Sequence, residues 1–263
     1  MICSEPLEHT HGSPYESVGV VGGGAVGITA AETLARRGAD VTLYEQGQLA
    51  DGSTGRAAGL CYDAFADERD ARHAARSLER FRELGVLTEV PYVWFVQEGH
   101  DNVTRALREQ VRRMQRNDRA VTLLSPAELA ARFPALRTDD IACAAVARNA
   151  GYVDTVAYVD RVAARVREAG ATVRTGTPIR LTVGPGVETQ ERTVEHDAVL
   201  VAAGAHTASL LDAAGWHGHG FMRAPALGER VAETICGGDG VPAFDPGRFD
   251  GTEAVDVPGG IVD

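Results

Sequence analysis

Closely spaced glycines separate an apolar run from a helical pattern near the start of the chain. Val18–Val21 form a short β-branched run that leads directly into Gly22-Gly23-Gly24-Ala25-Val26-Gly27. Apolar residues then recur at helical spacing, and Gly38 ends that pattern as a helix C-terminus. Val41–Tyr44 form a second apolar run, which Glu45 follows. The sequence therefore predicts a strand, a helix and a second strand parallel to the first, joined by a tight glycine turn.

The spacing Gly22-x-Gly24-x-x-Gly27, with an acid after the second strand, is typical of a dinucleotide site. The first glycine permits the turn, the second lets a diphosphate approach the backbone, and the third lets helix and strand pack closely. The helix N-terminus then offers free N–H groups to the diphosphate. Glu45 would accept hydrogen bonds from ribose hydroxyls, and a purely structural role for the glycines is the alternative interpretation. This interpretation places three further residues at the site: Ala25, Val26 and Gln46.

The rest of the chain alternates predicted helices with predicted strands. Apolar strands that alternate with helices are typical of a parallel sheet, so the fold class is α/β. The aromatic and β-branched run Val90–Val96 is instead typical of an antiparallel strand, and it indicates an inserted second domain. Ser125-Pro126-Ala127-Glu128 is a capping box, and Asp154 is a helix N-cap. The other predicted elements are helices at about 66–84 and 103–115 and strands at about 171–174 and 197–203.

The charge composition is acidic and lacks lysine. All 26 basic residues are arginine, against 37 Asp plus Glu, and the formal net charge is −11. This balance argues against nucleic acid as a partner. A lysine-free acidic surface is typical of proteins from salt-loving organisms, where bulk salt screens the repulsion between carboxylates. GC-rich coding bias is the alternative explanation.

The cysteines and the first 17 residues indicate the cellular compartment in which we expect the protein. Cys3, Cys61, Cys143 and Cys236 are scattered singly, without metal or redox spacing, so we expect free thiols in a reducing cytoplasm. No stretch of 18 apolar residues predicts a membrane span. Residues 1–17 are polar, which predicts a disordered tail and no signal peptide. The histidines of this tail, His9 and His11, make at best a weak metal site.

The stretch from Gly22 to Glu45 resembles the flavin-binding opening of the D-amino-acid oxidase-like superfamily, which includes sarcosine, glycine and dimethylglycine oxidoreductases. The loop Gly52–Leu60 resembles the second flavin-contacting segment of that family. The resemblance implies FAD as the cofactor, with contacts from Ser53, Thr54, Arg56 and Ala57. In the dimethylglycine and sarcosine dehydrogenase branch, a histidine that links covalently to the flavin stands where this chain has Arg56. We therefore expect a non-covalent flavin. Arg56 either offsets negative charge on the cofactor or forms a surface salt bridge.

Later segments also resemble family landmarks. Gly151–Asp154 and Val199–Ala205 match two of them, and the resemblance implies that Gly204 passes beneath the cofactor and that Ile179 lies near the adenine. Gly215–Gly228 resembles the C-terminal flavin-binding turn and helix. The residues that the resemblance places near the isoalloxazine are Gly218, His219, Gly220, Phe221 and Met222. A metal site at His217 and His219 is the alternative, but no third ligand is suitably spaced.

The chain departs from the family pattern after Gly204. Only 14 positions lead from Gly204 to Gly218, whereas the family also has several antiparallel strands of the substrate domain in this interval. Such strands and their turns need on the order of sixty residues. The resemblance therefore implies an internal deletion that shortens the antiparallel substrate domain. The expected boundaries are a Rossmann-like FAD-binding domain with a parallel sheet at 18–85 and 151–235, a substrate-domain remnant at 86–150 and a C-terminal extension at 236–263.

The resemblance implies an FAD-dependent oxidoreductase in which hydride passes from the Cα–H of a small amine or amino acid to the flavin. Two alternatives remain: a flavin-binding but catalytically impaired remnant or subunit that needs a partner chain, and an NAD-dependent dehydrogenase. The shortened domain points to a homo-oligomer or a partner chain that covers it. The sequence identifies no catalytic residue. Tyr92, Trp94 and Arg137 lie in the remnant, although an aromatic strand is more often part of a core.

Overall fold

The computed structural model describes residues 15–207 and 220–236. In chain order the elements are β1 (Ser17–Val21), α1 (Ala25–Arg36), β2 (Asp40–Tyr44), β3 (Leu60–Tyr62), α2 (Glu68–Glu83), β4 (Leu87–Glu89), β5 (Tyr92–Gln97), α3 (Asp101–Arg116), β6 (Val121–Leu124), α4 (Pro126–Arg132), β7 (Ile141–Ala147), β8 (Ala150–Val153), α5 (Thr155–Glu168), β9 (Thr172–Arg174), β10 (Arg180–Leu181), β11 (Gly186–Glu188), β12 (Thr193–Glu195), β13 (Ala198–Val201), a short 3₁₀ helix (Gly204–His206) and α6 (Gly220–Ile235).

A parallel sheet of order β13-β1-β2-β9 forms the centre of the molecule. Its central strands alternate buried valines and leucines, and α1 packs against α5 and α6 beside it. The main core is continuous from these strands to the apolar faces of α1, α2 and α5. The α/β class with a parallel sheet is confirmed, and β9 and β13 join the sheet as the sequence predicts.

Three small antiparallel sheets surround this centre, with orders β3-β8-β4, β5-β7-β6 and β10-β11-β12. The predicted aromatic strand is β5, and it pairs antiparallel with β7. Tyr62 of β3 stacks on Tyr92 of β5 with ring centroids 4.6 Å apart, and Trp94 meets both rings edge-on. These rings pack against a core that includes Met114 of α3. The aromatic residues of β5 therefore join two of the antiparallel sheets.

The predicted helix starts form as expected. The Ser125 and Glu128 side chains complete a reciprocal capping box before α4, and the Asp154 carboxylate accepts the N–H groups of Val156 and Ala157. The charged helix begins slightly later than predicted, at Glu68 rather than at about residue 66, and the Asp67 side chain caps it. The sheet β10-β11-β12 is not among the predicted elements, although the turn Gly184-Pro185-Gly186 was a signal for it.

The described cysteines, Cys61, Cys143 and Cys236, are buried and unpaired, as the sequence predicts, and Cys3 lies outside the described residues. Within the described ranges, no helix has the length and apolar character needed to cross a bilayer.

A buried histidine lies beneath the parallel sheet. His196 Nδ1 lies 2.8 Å from Ser17 Oγ, and its Nε2 lies 3.1 Å from the Tyr44 hydroxyl oxygen. Burial lowers the pKa of His196, against the opposing effect of Asp40 and Asp197, so the folded state favours the neutral ring. Gly19 passes directly over this ring, where a Cβ would lie 2.7 Å from His196 Cδ2.

We expect this histidine to make the protein less stable in mild acid. Because the unfolded chain binds a proton at a higher pH than the folded one, this contribution to stability is present above the ordinary histidine pKa and is lost as the pH falls below it. The melting temperature of the wild type should drop between about pH 7.5 and about pH 5.5, and His196→Gln should show a smaller drop. Replacement of the exposed His100 by glutamine is the control. Equal drops in wild type and His196→Gln would contradict this account.

Candidate functional site

The glycine turn after β1 adopts a backbone that requires glycine. Gly22 has φ +112°, and a Cβ there would collide with the carbonyl oxygen of Ala202, just after β13. Its N–H donates to the Tyr44 carbonyl oxygen at 2.8 Å, and the Ala202 N–H donates to Val21 at 2.7 Å. The turn is therefore held between β2 and the end of β13.

The third glycine of the motif lies where α1 meets the turn. A Cβ on Gly27 would collide with the Gly22 carbonyl oxygen, so helix and strand approach as closely as the motif predicts. Gly24 differs, because its backbone is extended and a Cβ there would meet, among the described residues, only Thr54 Oγ1, at 3.1 Å. As far as the structure describes the chain, the space beside Gly24 is thus open at the N-terminus of α1, where a diphosphate would lie.

Glu45 closes the site from the end of β2. Its carboxylate accepts the Gly23 N–H at 2.7 Å and the Gly47 N–H at 2.8 Å. The side chain is half-buried, and Gln46 beside it is exposed. A carboxylate has about four acceptor positions, so Glu45 retains capacity for ribose hydroxyls. The Gly23 and Gly47 N–H donors to Glu45 were not predicted, although Gly47, two residues after Glu45, was a signal for one of them.

We expect Glu45→Ala to weaken FAD binding by about 1–3 kcal/mol, the range for a charge-assisted hydrogen bond. The isosteric Glu45→Gln should lose less, because its amide oxygen can still accept. Fluorescence titration of the apoprotein with FAD measures the change, with the exposed Glu98→Ala as the matched control. An unchanged dissociation constant for Glu45→Ala would remove Glu45 from the site.

The loop between β2 and β3 returns to the glycine turn. The Ala50 N–H donates to the Gly23 carbonyl oxygen at 3.1 Å, and Thr54 Oγ1 accepts the Ala25 N–H at 3.1 Å. Ser53 is exposed and Ala57 is half-buried; Arg56 is exposed and forms no ion pair with any residue that the structure describes. Thr54 therefore lies at the helix N-terminus, while the Arg56 guanidinium faces solvent. Val26 follows Ala25 in the first turn of α1.

The remaining predicted site residues lie in two places. Ile179 is half-buried and packs in a small cluster with Val21 and Tyr44, next to β10-β11-β12, and Gly204 is exposed at the start of the 3₁₀ helix. Gly220, Phe221 and Met222 are the first residues of α6. The other residues of that predicted segment, Gly218 and His219, lie outside the described ranges, as do His9, His11 and His217.

The residues within 86–150 that were considered for substrate contact pack against residues other than those of the glycine turn. Tyr92 and Trp94 pack in the aromatic cluster with Tyr62. Arg137 is exposed and pairs with the neighbouring Asp139 and Asp140. Over the described residues, no group of three or more His, Cys, Asp or Glu side chains could hold a metal ion.

Comparison with known proteins agrees with this geometry. Residues 17–213 match the family described as FAD dependent oxidoreductase. The chain belongs to this family. Its members are enzymes whose dinucleotide is FAD, so these parts of the sequence prediction are confirmed. The residues of the turn fit such a ligand, because among the described residues the space beside Gly24 adjoins a helix N-terminus and the half-buried carboxylate of Glu45.

Solved structures and a curated relative of this FAD-dependent chain extend the comparison. L-proline dehydrogenase from P. horikoshii has a TM-score of 0.69 and 24% identity, over 74% of this chain and 55% of that one. Glycine oxidase from Bacillus cereus has a TM-score of 0.65 and 25% identity, over 75% and 57%. The anaerobic glycerol-3-phosphate dehydrogenase subunit A1 of Haloferax volcanii is 38% identical over 91 residues, which are 33% of this chain and 16% of that protein. The chain thus spans little more than half the length of the two solved structures.

Proposed function

We propose that the chain binds FAD non-covalently and oxidises the C–N bond of a small amine or amino acid. The observation that carries this proposal is the open space beside Gly24, framed by the N-terminus of α1 and by Glu45, in a chain of the FAD-dependent family. The family favours FAD over the nicotinamide cofactor that the glycine motif alone would allow. Bound FAD would accept a hydride from the substrate carbon.

The residues of the chain would bind and orient the cofactor. The N–H groups of α1 would bind the diphosphate, and Glu45 the adenosine ribose. A small, shallow cavity next to the end of β9, lined by residues 174, 176–178 and 189–191, would border the adenosine end, with Ile179 next to it along the chain. Residues 53–57 would border the diphosphate, and residues 218–222 would lie near the flavin ring.

The substrate class rests on the family resemblance and on the solved relatives. An L-proline dehydrogenase and a glycine oxidase support an amine or amino acid, whereas the Haloferax volcanii relative is a glycerol-3-phosphate dehydrogenase subunit. The test is anaerobic reduction of the bound flavin by proline, glycine, sarcosine, D-alanine and glycerol 3-phosphate, each at the same concentration. The proposal expects the fastest reduction with one of the amines. Faster reduction by glycerol 3-phosphate would overturn the substrate class without affecting FAD binding.

A second candidate function is a flavin-binding subunit that needs a partner chain or a second copy for catalysis. It is favoured by the short interval of 13 residues between Gly204 and Gly218 and by the coverage of only 55% and 57% of the two solved relatives. On this interpretation, 86–150 is a substrate-domain remnant and 18–85 with 151–235 is the FAD-binding domain. Flavin reduction that appears only after an added partner restores it would favour this second candidate.

The composition supports two further proposals about the setting. Unpaired, buried cysteines support a reducing compartment such as the cytoplasm. The lysine-free acidic composition and the Haloferax volcanii relative support a halophilic origin.

We expect acid precipitation to release all flavin and to leave a colourless pellet. In the dimethylglycine and sarcosine dehydrogenase branch, a histidine at the position of Arg56 forms the covalent bond to the flavin. Arg56 has no atom that could form the same bond. Cys61 is an unsuitable substitute, because it is buried and burial raises the pKa of its thiol to about 12, so the reactive thiolate is scarce. Absorbance of the pellet and supernatant measures the partition, and a yellow pellet would contradict the prediction.

A further inference from the structure

The last described helix crosses α1 at very short range. A Cβ on Gly228 of α6 would lie 2.8 Å from Thr29 Cβ and 2.8 Å from the Val26 carbonyl oxygen. Ala226, Leu227 and Ala232 of α6 are also buried, and the Ala226 N–H donates to Ser77 Oγ on α2 at 3.3 Å. The small residues let the backbones approach closely, and they contribute little side-chain bulk to fix the position of α6 along α1.

A partly buried set of ion pairs joins α6 to two other helices immediately beside this crossing. Glu229 of α6 accepts two hydrogen bonds from Arg76 of α2, at 2.9 and 3.0 Å, and a third from Arg80 at 3.1 Å. Arg80 in turn donates to Glu32 of α1, which also accepts from Arg165 of α5 at 2.6 Å. We name Glu229, Arg76, Arg80 and Glu32 the helix clamp.

The helix clamp restricts the orientation of α6 relative to α2 as well as the distance between them. The Glu32 side chain is 1% exposed and that of Arg80 is 8% exposed, so these charges have little access to water. A guanidinium that donates two parallel hydrogen bonds to one carboxylate restricts their relative orientation, which a lysine cannot do. Burial opposes the charge on Arg76, but the hydrogen bonds that Arg76 donates to Glu229 raise the pKa of Arg76 overall, so its guanidinium stays charged.

The two helices that the clamp joins approach opposite ends of the proposed cofactor. α1 begins at the glycine turn, where the diphosphate would bind, and α6 begins at Gly220, in the segment that would lie near the flavin ring. Glu229 lies nine residues, or about 13 Å at the usual helical rise, from the start of α6. Pro225 removes one backbone hydrogen bond between these positions, but α6 is continuous from Gly220 to Ile235, so a small rotation at the clamp would displace the start of α6 relative to the diphosphate site.

We propose that Glu229, through Arg76 and Arg80, is a positioning residue that sets the flavin-ring end of the cofactor site relative to the diphosphate end. This inference rests on the proposed function, because it requires that the chain bind FAD. It predicts that loss of the clamp weakens recognition of the ring half of FAD and leaves recognition of the ADP half intact. A merely structural role would weaken both halves together.

The test compares the affinities for FAD and for ADP in full-length apoprotein. We expect Glu229→Gln to lower FAD affinity about tenfold or more while ADP affinity changes by less than about twofold. Glu79→Gln is the matched control, since Glu79 contacts the same Arg76, at 3.6 Å, but is exposed and does not reach α6. The visible spectrum of bound flavin, which reports the surroundings of the ring, should change in Glu229→Gln and not in Glu79→Gln.

A second variant covers the case in which Glu229→Gln does not fold. Arg76→Lys keeps the charge and removes the paired hydrogen bonds at a side chain that is 41% exposed, and it should show the same selective loss of FAD affinity. Unchanged ratios of FAD to ADP affinity in the folded variants would overturn the positioning role. Absence of FAD binding by the wild type, with ADP bound or not, would instead overturn the proposed function, and this inference with it.

Discussion

Replacement of Gly24 by valine is expected to abolish FAD retention while the protein still folds. Gly24 has an extended backbone that valine adopts readily, and Thr54 Oγ1, 3.1 Å from an added Cβ, is its only close neighbour among the residues that the structure describes. The valine methyl groups would fill the space at the N-terminus of α1 where the diphosphate must approach the backbone. We expect flavin content after purification to fall by more than about tenfold, which corresponds to about 1.4 kcal/mol.

Two companion variants make this result specific. Gly24→Ala adds only the Cβ and should give an intermediate flavin content. Ala106→Val places the same residue on the exposed face of α3, far along the chain from the turn, and should retain wild-type content. Circular dichroism confirms folding in each case. Full flavin content in Gly24→Val would overturn the assignment of the diphosphate to the glycine turn.

The second large effect concerns turnover. We expect this chain alone to oxidise D-alanine, glycine and sarcosine slowly or not at all, even when it holds FAD. Hydride transfer requires the substrate carbon at near-attack distance from the ring, and a misplacement of about 1 Å can lower the rate about a hundredfold. The 14 positions from Gly204 to Gly218 leave no room for the additional strands that would hold the substrate.

Stopped-flow absorbance at the flavin band tests this expectation directly. Chemical reduction with dithionite should bleach the same sample completely, which separates a flavin that cannot be reduced from a substrate that is badly placed. Rapid bleaching by any amine of the panel would show that the sheet β5-β7-β6 and its neighbours already build a competent substrate pocket.

The parts of the structure that the sequence predicts well depend on local interactions. Asp154 caps its helix as predicted because an N-cap is satisfied within its own first turn, and the helix predicted from about residue 66 begins at Glu68 after its cap Asp67. The strand, turn and helix around Gly22 can likewise be predicted from the sequence. Gly22 has a positive φ and lies close to the Ala202 carbonyl oxygen, so glycine is the residue that fits there.

The missed features depend on long-range placement. No local pattern in the sequence predicts the burial of Glu32 in α1, which the ion pairs with Arg80 of α2 and Arg165 of α5 explain. His196 lies in a turn before β13 and becomes buried because Gly19 leaves room for its ring. At the candidate site, the sequence identifies Glu45 but not the Gly23 and Gly47 amides that orient it.

The order of the parallel sheet has a consequence for how the chain folds. β1 pairs with β2 across one short helix, but its other neighbour, β13, is about 180 residues further along the chain, as the Ser17–Asp197 hydrogen bond illustrates. Closing so long a loop is entropically costly, and such non-local pairing slows folding. On a ribosome, the N-terminal βαβ unit emerges with one edge of its central strand open until β13 is synthesised. An open edge with buried valines on its faces is prone to pairing with other chains, so yield in the cell depends on how quickly β13 arrives.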